Sequence, residues 1–141
     1  MAMSAEIREL RPRPPDSEKI TVNLGFVDLG HIDLLVREGF YSTRTDFIRT
    51  SIRNQLERHG EAIKQSVHRN KFELGFCHFG RERLESVRAA GETLHVHVLG
   101  LASIARDVTP ELARATIASI RVLGALDASA EVKAALADRI G

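Results

Sequence analysis

The pattern of polar and apolar positions acquires a clear period at Lys19. Lys19-Ile20-Thr21-Val22-Asn23-Leu24 alternates strictly, with Ile20, Val22 and Leu24 on one face and Lys19, Thr21 and Asn23 on the other. That is the period of a half-buried strand, and it stops at Gly25. The spacing then becomes helical: Leu29, Ile32, Leu35 and Val36 share a stripe that runs towards Glu38. Gly39 follows, where a helix end favours a residue free to take positive φ. Gly30 inside this helix carries a local cost of about 1 kcal/mol relative to alanine. Phe40-Tyr41-Ser42 makes a turn, and Thr43-Arg44-Thr45-Asp46 resembles a capping box that opens a second helix. Phe47, Ile48, Ile52 and Leu56 continue its apolar stripe, and the polar residues 58–71 either prolong it or link it onward.

Residues 72–141 carry three strand-like and three helix-like segments. Residues 72–79 alternate, with Phe72, Leu74 and Phe76 on one face; 82–90 read as a helix. Residues 93–99 alternate again, with Leu94, Val96 and Val98 opposing His95 and His97. Thr109-Pro110-Glu111 is a helix start, a cap followed by proline at the first helical position. Residues 117–123 form a further strand, and Ser129-Ala130-Glu131 opens the last helix. Val98-Leu99-Gly100 recurs as Val122-Leu123-Gly124, each copy followed by a capped helix, which suggests a duplicated β–α unit.

Ahead of Lys19, Arg11-Pro12-Arg13-Pro14-Pro15-Asp16 is polar, proline-rich and aperiodic. Residues 1–18 therefore read as a flexible arm whose arginines suit phosphates or a minor groove, or simply as a solvated tail. The chain of 141 residues divides into this arm, a module at 19–58, a helical extension or linker at 59–71 and a small α+β domain at 72–141.

A lone six-residue strand leaves its edges and its apolar face unsatisfied, and two helices do not enclose a core. Pairing the strand with its copy in a second chain answers both problems. The expected core of that obligate homodimer is Ile20, Val22, Leu24, Leu29, Ile32, Leu35, Ile48 and Ile52. Lys19, Thr21 and Asn23 then face outward from a two-stranded ribbon; such residues read base edges in a major groove, or merely cover a solvated strand.

Composition adds little to this. Hydrophobic residues make up 43% and charged residues 28%, enough for a packed core. The single cysteine, Cys77, excludes an internal disulfide framework and fits a reducing cytoplasm, where the protein is expected. No apolar run is long enough for a membrane span or a signal peptide. Net charge is +1; residues 1–71 hold 12 basic and 10 acidic side chains, and the remainder 8 and 9. The sign of that asymmetry suits a DNA-facing first part, but it is small. There is no nucleophile motif, HExxH or glycine-rich phosphate loop, so an enzyme is not expected.

The order of strand, helix, Gly39, Tyr41-Ser42, capped helix at Thr43-Arg44-Thr45 and Ile48-Arg49…Ile52-Arg53 resembles the ribbon–helix–helix family of CopG, Arc and MetJ-type repressors. The positions of Leu29, Ile32, Asp33, Leu35, Gly39, Tyr41 and Ser42 match it without a gap over about forty residues. The resemblance implies an α+β protein with an amino-terminal ribbon–helix–helix domain for dimerisation and DNA binding, and a small α+β carboxy-terminal domain for oligomerisation or ligand response. It implies double-stranded DNA and a second copy as partners, with tetramers or larger assemblies open through residues 72–141. It implies base contacts by Lys19, Thr21 and Asn23, and a phosphate gripped by Thr43, Arg44 and Thr45, where free amides and the helix dipole suit an anion. The chain departs from the family at Gly25-Phe26-Val27, where exposed apolar side chains need cover from the third region or alter the DNA surface.

Thr93-Leu94-His95-Val96-His97 is similar to a stretch in nickel-responsive members with a ferredoxin-like regulatory domain. That topology requires residues 99–105 to turn back as a hairpin strand. His95, His97, Cys77 and His78 are the candidate ligands if a metal binds, and no other cofactor is expected. In those proteins the ligand cysteine lies downstream of His-x-His, whereas Cys77 lies upstream. A transcriptional regulator acting as a repressor is the leading reading. An antitoxin, a metal-responsive regulator and a scaffold that only dimerises are the alternatives.

Overall fold

A computed structural model describes residues 17–141; the arm expected at 1–18 lies almost wholly outside the described residues. The chain forms two compact units, Glu18–Arg69 and Asn70–Gly141.

In the first unit, Lys19 to Gly25 form neither helix nor strand within the chain. Helix α1 (Phe26–Arg37) begins after extended Gly25. It ends as its pattern requires: Gly39 takes φ 86°, and the amides of Gly39 and Phe40 reach back to the carbonyls of Val36 and Leu35. Helix α2 (Arg44–Arg58) is capped by Thr43, whose Oγ1 accepts from the Asp46 amide at 3.0 Å. The return half of the expected box differs. The Asp46 carboxylate accepts from the amide and hydroxyl of Ser42, at 3.0 and 3.2 Å, and so ties the turn to the helix. Tyr41 meets Phe47 edge to face, with ring centroids 5.0 Å apart. A break at His59 separates α2 from α3 (Gly60–Asn70).

The second unit is three β–α steps in sequence: β1 (Glu73–Phe79), α4 (Arg81–Ala89), β2 (Leu94–Ile104), α5 (Pro110–Thr116), β3 (Ile117–Asp127) and α6 (Ala130–Ala135), with a final 3₁₀ turn (Ala137–Arg139). The strands form one parallel sheet in the order β1-β2-β3. Residues 99–104 continue β2 rather than turning back, so the hairpin that a ferredoxin-like topology needs is not formed. The reason lies in the alternation, which runs through Gly100 to Ala102 and Ile104 and keeps both on the core side.

Leu84 of α4, Leu112 and Ala113 of α5, and Val132 and Leu136 at α6 join Val96, Val98, Ala102, Ile104, Ile117 and Ile120 of the strands in one core. The helices therefore cover a single face of the sheet. Thr109 and Ser129 cap α5 and α6 through the amides of Leu112 and Val132.

The Val-Leu-Gly echo has a structural consequence. Gly75, Gly100 and Gly124 lie side by side across the three strands. Gly100 and Gly124 take φ 139° and 119°. A Cβ on Gly100 would stand 2.2 Å from the Gly75 carbonyl oxygen, and one on Gly124 2.1 Å from that of Gly100. Only glycine fits such a ladder. Leu74-Gly75 is thus the counterpart of Leu99-Gly100 and Leu123-Gly124, and the β–α unit occurs three times where the sequence suggested two.

The closing end of the sheet is tied by an arginine pair. Arg114 spans to the Ala135 carbonyl and, through two nitrogens, to the Asp138 carboxylate at 2.8 and 3.1 Å. Arg139 donates to the carbonyls of Arg114 and Ile117 at the end of α5. Ile140 bridges to Ile120, and the Gly141 amide reaches the Ile120 carbonyl at 2.9 Å.

Candidate nucleic-acid interface

Lys19, Thr21 and Asn23 are all exposed, as are the apolar residues that alternate with them. Ile20 and Val22 keep 73% and 68% of their surface in water, and Leu24 keeps 40%. Of the residues expected to form a dimer core, Ile32 is buried within the chain, Leu29 and Leu35 are half-buried, and Ile48 and Ile52 are exposed. Helix α2 contains no buried residue at all. Phe26 and Val27 are also exposed, Phe26 almost completely.

The turn between α1 and α2 gathers several of this unit's side-chain hydrogen bonds. Arg44 forms a two-pronged pair with Asp33, Nε to Oδ1 at 2.7 Å and Nη2 to Oδ2 at 2.8 Å, and so pins α2 to α1. These bonds hold the Asp33 carboxyl below its ordinary range and push the Arg44 guanidinium up. Thr43 is occupied as the cap, while Thr45 is exposed in the first turn. The first amides of α2 beyond those satisfied by Thr43 have no intrahelical acceptor and lie at the positive end of the dipole. An anion at this end would meet free N–H groups, with the Arg44 guanidinium held nearby by Asp33. Sequence reasoning did not foresee that partnership; the spacing of Asp33 and Arg44 across a turn offers no periodic signal.

The candidate metal ligands are distributed along the sheet. Cys77 is half-buried and pairs in register with Ala102, and its thiol donates to the Glu73 carboxylate at 3.2 Å. Burial pushes that thiol up, and the hydrogen bond and charge of the neighbouring Glu73 add to the effect. His78 is exposed. His95 Nδ1 lies 2.8 Å from the Ser119 hydroxyl, and His97 Nδ1 lies 3.4 Å from the Asn70 carbonyl. Among the described residues no three His, Cys, Asp or Glu side chains are gathered around a point that suits a metal ion.

An alternating segment without a partner strand, a Gly39-terminated helix and a second helix capped at Thr43 together have the layout of a ribbon–helix–helix protein. The ribbon–helix–helix transcriptional regulator family model matches residues 15–133, and the chain belongs to that family. The match reaches into α6, so most of the second unit is part of what the family describes. No curated protein and no solved structure matches the chain. No helix among the described residues is long and apolar enough to cross a membrane.

Proposed function

We propose that this chain is a homodimeric, sequence-specific DNA-binding regulator, acting as a repressor in the cytoplasm. In this reading Ile20–Leu24 of two copies pair as an antiparallel ribbon. Lys19, Thr21 and Asn23 enter the major groove, and Thr43, Arg44 and Thr45 hold a backbone phosphate on either side. The carrying observation is the state of Glu18–Arg69 as a single chain: of its apolar side chains only Ile32 is buried. A unit that buries so little cannot offset its own ordering entropy. A second copy covers Ile20, Val22 and Leu24 at once, and gives their backbone the partner that a strand needs.

Division of labour follows from this arrangement. Base reading falls to the ribbon, and affinity and register to the phosphate contacts. The unit Asn70–Gly141, with its own core, serves assembly or response. The test is a gel shift with DNA enriched from a random pool, at stated salt. The wild type is expected to retain one sequence class. A Lys19→Ala, Thr21→Ala, Asn23→Ala variant is expected to lose preference for it while remaining dimeric. If the wild type enriches no sequence, the module only dimerises and the regulator reading fails.

A further inference from the structure

The two edges of the β1-β2-β3 sheet are finished differently. On the β3 side, Ile140 and Gly141 bridge to Ile120, and Arg121 and Asp127 place charges along the strand. These are the usual guards of an edge. On the β1 side the guards sit only at the two ends, where Glu73 opens the strand and Arg83 Nη1 donates to the His78 carbonyl at 3.3 Å. Seven residues, Glu73–Phe79, run with no lysine, arginine or proline, and Leu74 and Phe76 stand 66% and 56% exposed. The glycine ladder points the same way. A Cβ on Gly100 or Gly124 would strike the carbonyl of the preceding strand, whereas at Gly75, in a similar positive-φ conformation, it would meet nothing within 4 Å. Gly75 has the backbone of a ladder rung with room for another strand beside it.

We infer that the β1 edge pairs with the β1 edge of a second copy of this chain, joining two three-stranded sheets into one of six. The occupant is a second copy because the amino-terminal unit, on the reading above, already requires one. Tethering places that copy's β1 at high effective concentration. Pairing like edges about a twofold axis closes the assembly, so no further β1 edge is offered and the sheet ends on the two β3 strands. The strands run antiparallel. A parallel pair would set Glu73 beside Glu73, whereas the antiparallel pair sets it against the His78 end, with Arg81 and Arg83 just beyond. A twofold normal to the sheet also keeps both sets of helices on one face. On the other face that register sets Phe76 beside its own copy at the axis, with Leu74 of one chain facing the His78 end of the other.

Cross-linking tests this in the full chain. In a Cys77→Ser background, Leu74→Cys, Leu123→Cys and Thr21→Cys are made singly and treated with a short bismaleimide. Leu74 and Leu123 lie on the same exposed face at opposite edges, and neither is buried, so folding is not at stake. Leu74→Cys is expected to yield covalent dimer on the order of tenfold faster than Leu123→Cys, from the gain in effective concentration. Equal rates overturn the pairing. Thr21→Cys reports the ribbon separately. If it cross-links while Leu74→Cys does not exceed Leu123→Cys, the edge pairing is wrong and the ribbon stands. If Leu74→Cys alone cross-links, the edge pairing stands and the ribbon reading is wrong.

Discussion

Asn70–Gly141 keeps Leu84, Ile117, Ile120, Val132 and Leu136 out of water without help, whereas Glu18–Arg69 leaves Ile20, Val22, Ile48, Ile52 and Leu56 in it. Both have clean amphipathic patterns, so pattern alone does not separate a self-sufficient unit from a half-unit. The difference is layering. A sheet covered by three helices encloses a core, because each element buries one face against the other. Three helices and an unpaired segment bury almost nothing against one another, and a second chain must supply the missing layer. Stability is local in one unit and shared between molecules in the other.

The largest effect that would sharpen the contrast is expected from Gly100→Ala. Its Cβ has no room beside the Gly75 carbonyl, and its φ is one that side chains rarely adopt. A loss of more than about 4 kcal/mol is expected, confined to the second unit. Thermal unfolding followed by circular dichroism should show a helical remainder at temperatures where the wild type is intact. Next comes Leu84→Ala, which empties a fully buried site and should cost about 2–5 kcal/mol at any protein concentration. A concentration-dependent loss would mean that this core, too, is shared between copies.

The Asp33–Arg44 pair gives a smaller, pH-dependent effect. Because Asp33 is held below its ordinary range, the pair stabilises the folded chain above that range. The contribution is lost as pH falls through the lowered value. Asp33→Asn should therefore flatten the acid limb of a melting-temperature profile below about pH 4. In DNA binding, Arg44→Ala should reduce the slope of log affinity against log salt by about 0.9, one phosphate contact. The smallest effect is Gly30→Ala. The added methyl meets nothing within 4 Å, and the helix should gain about 1 kcal/mol. A loss instead would mean that Gly30 faces a close neighbour in the dimer.

Much of the local structure was legible in the sequence. Gly39 and Thr43 fixed the ends of α1 and α2 because their roles depend on neighbours only a few residues away. Thr109-Pro110 and Ser129 did the same for α5 and α6. The topology of residues 72–141 was less legible. His95-x-His97 drew the reading towards a hairpin, but strand direction depends on what packs on the sheet, and the helices here make every step parallel. The third rung of the ladder was missed because Leu74-Gly75 lacks the preceding valine that marked the other two. At the candidate interface, the alternation of Lys19, Thr21 and Asn23 with Ile20, Val22 and Leu24 is a sequence pattern, and the single chain leaves both sets exposed. The Asp33–Arg44 clamp could not be read from the sequence, since it joins positions that only the turn brings together.

Hydrogen exchange on the Val22→Asp variant, set beside the wild type, tests the central contrast most directly. A charge at the middle of the ribbon's inner face should abolish pairing. Amides of α1 and α2 are then expected to lose protection, while those of α4, β2 and α5 keep theirs. If α1 and α2 remain protected in the variant, Glu18–Arg69 folds without a partner and the dimeric account is contradicted.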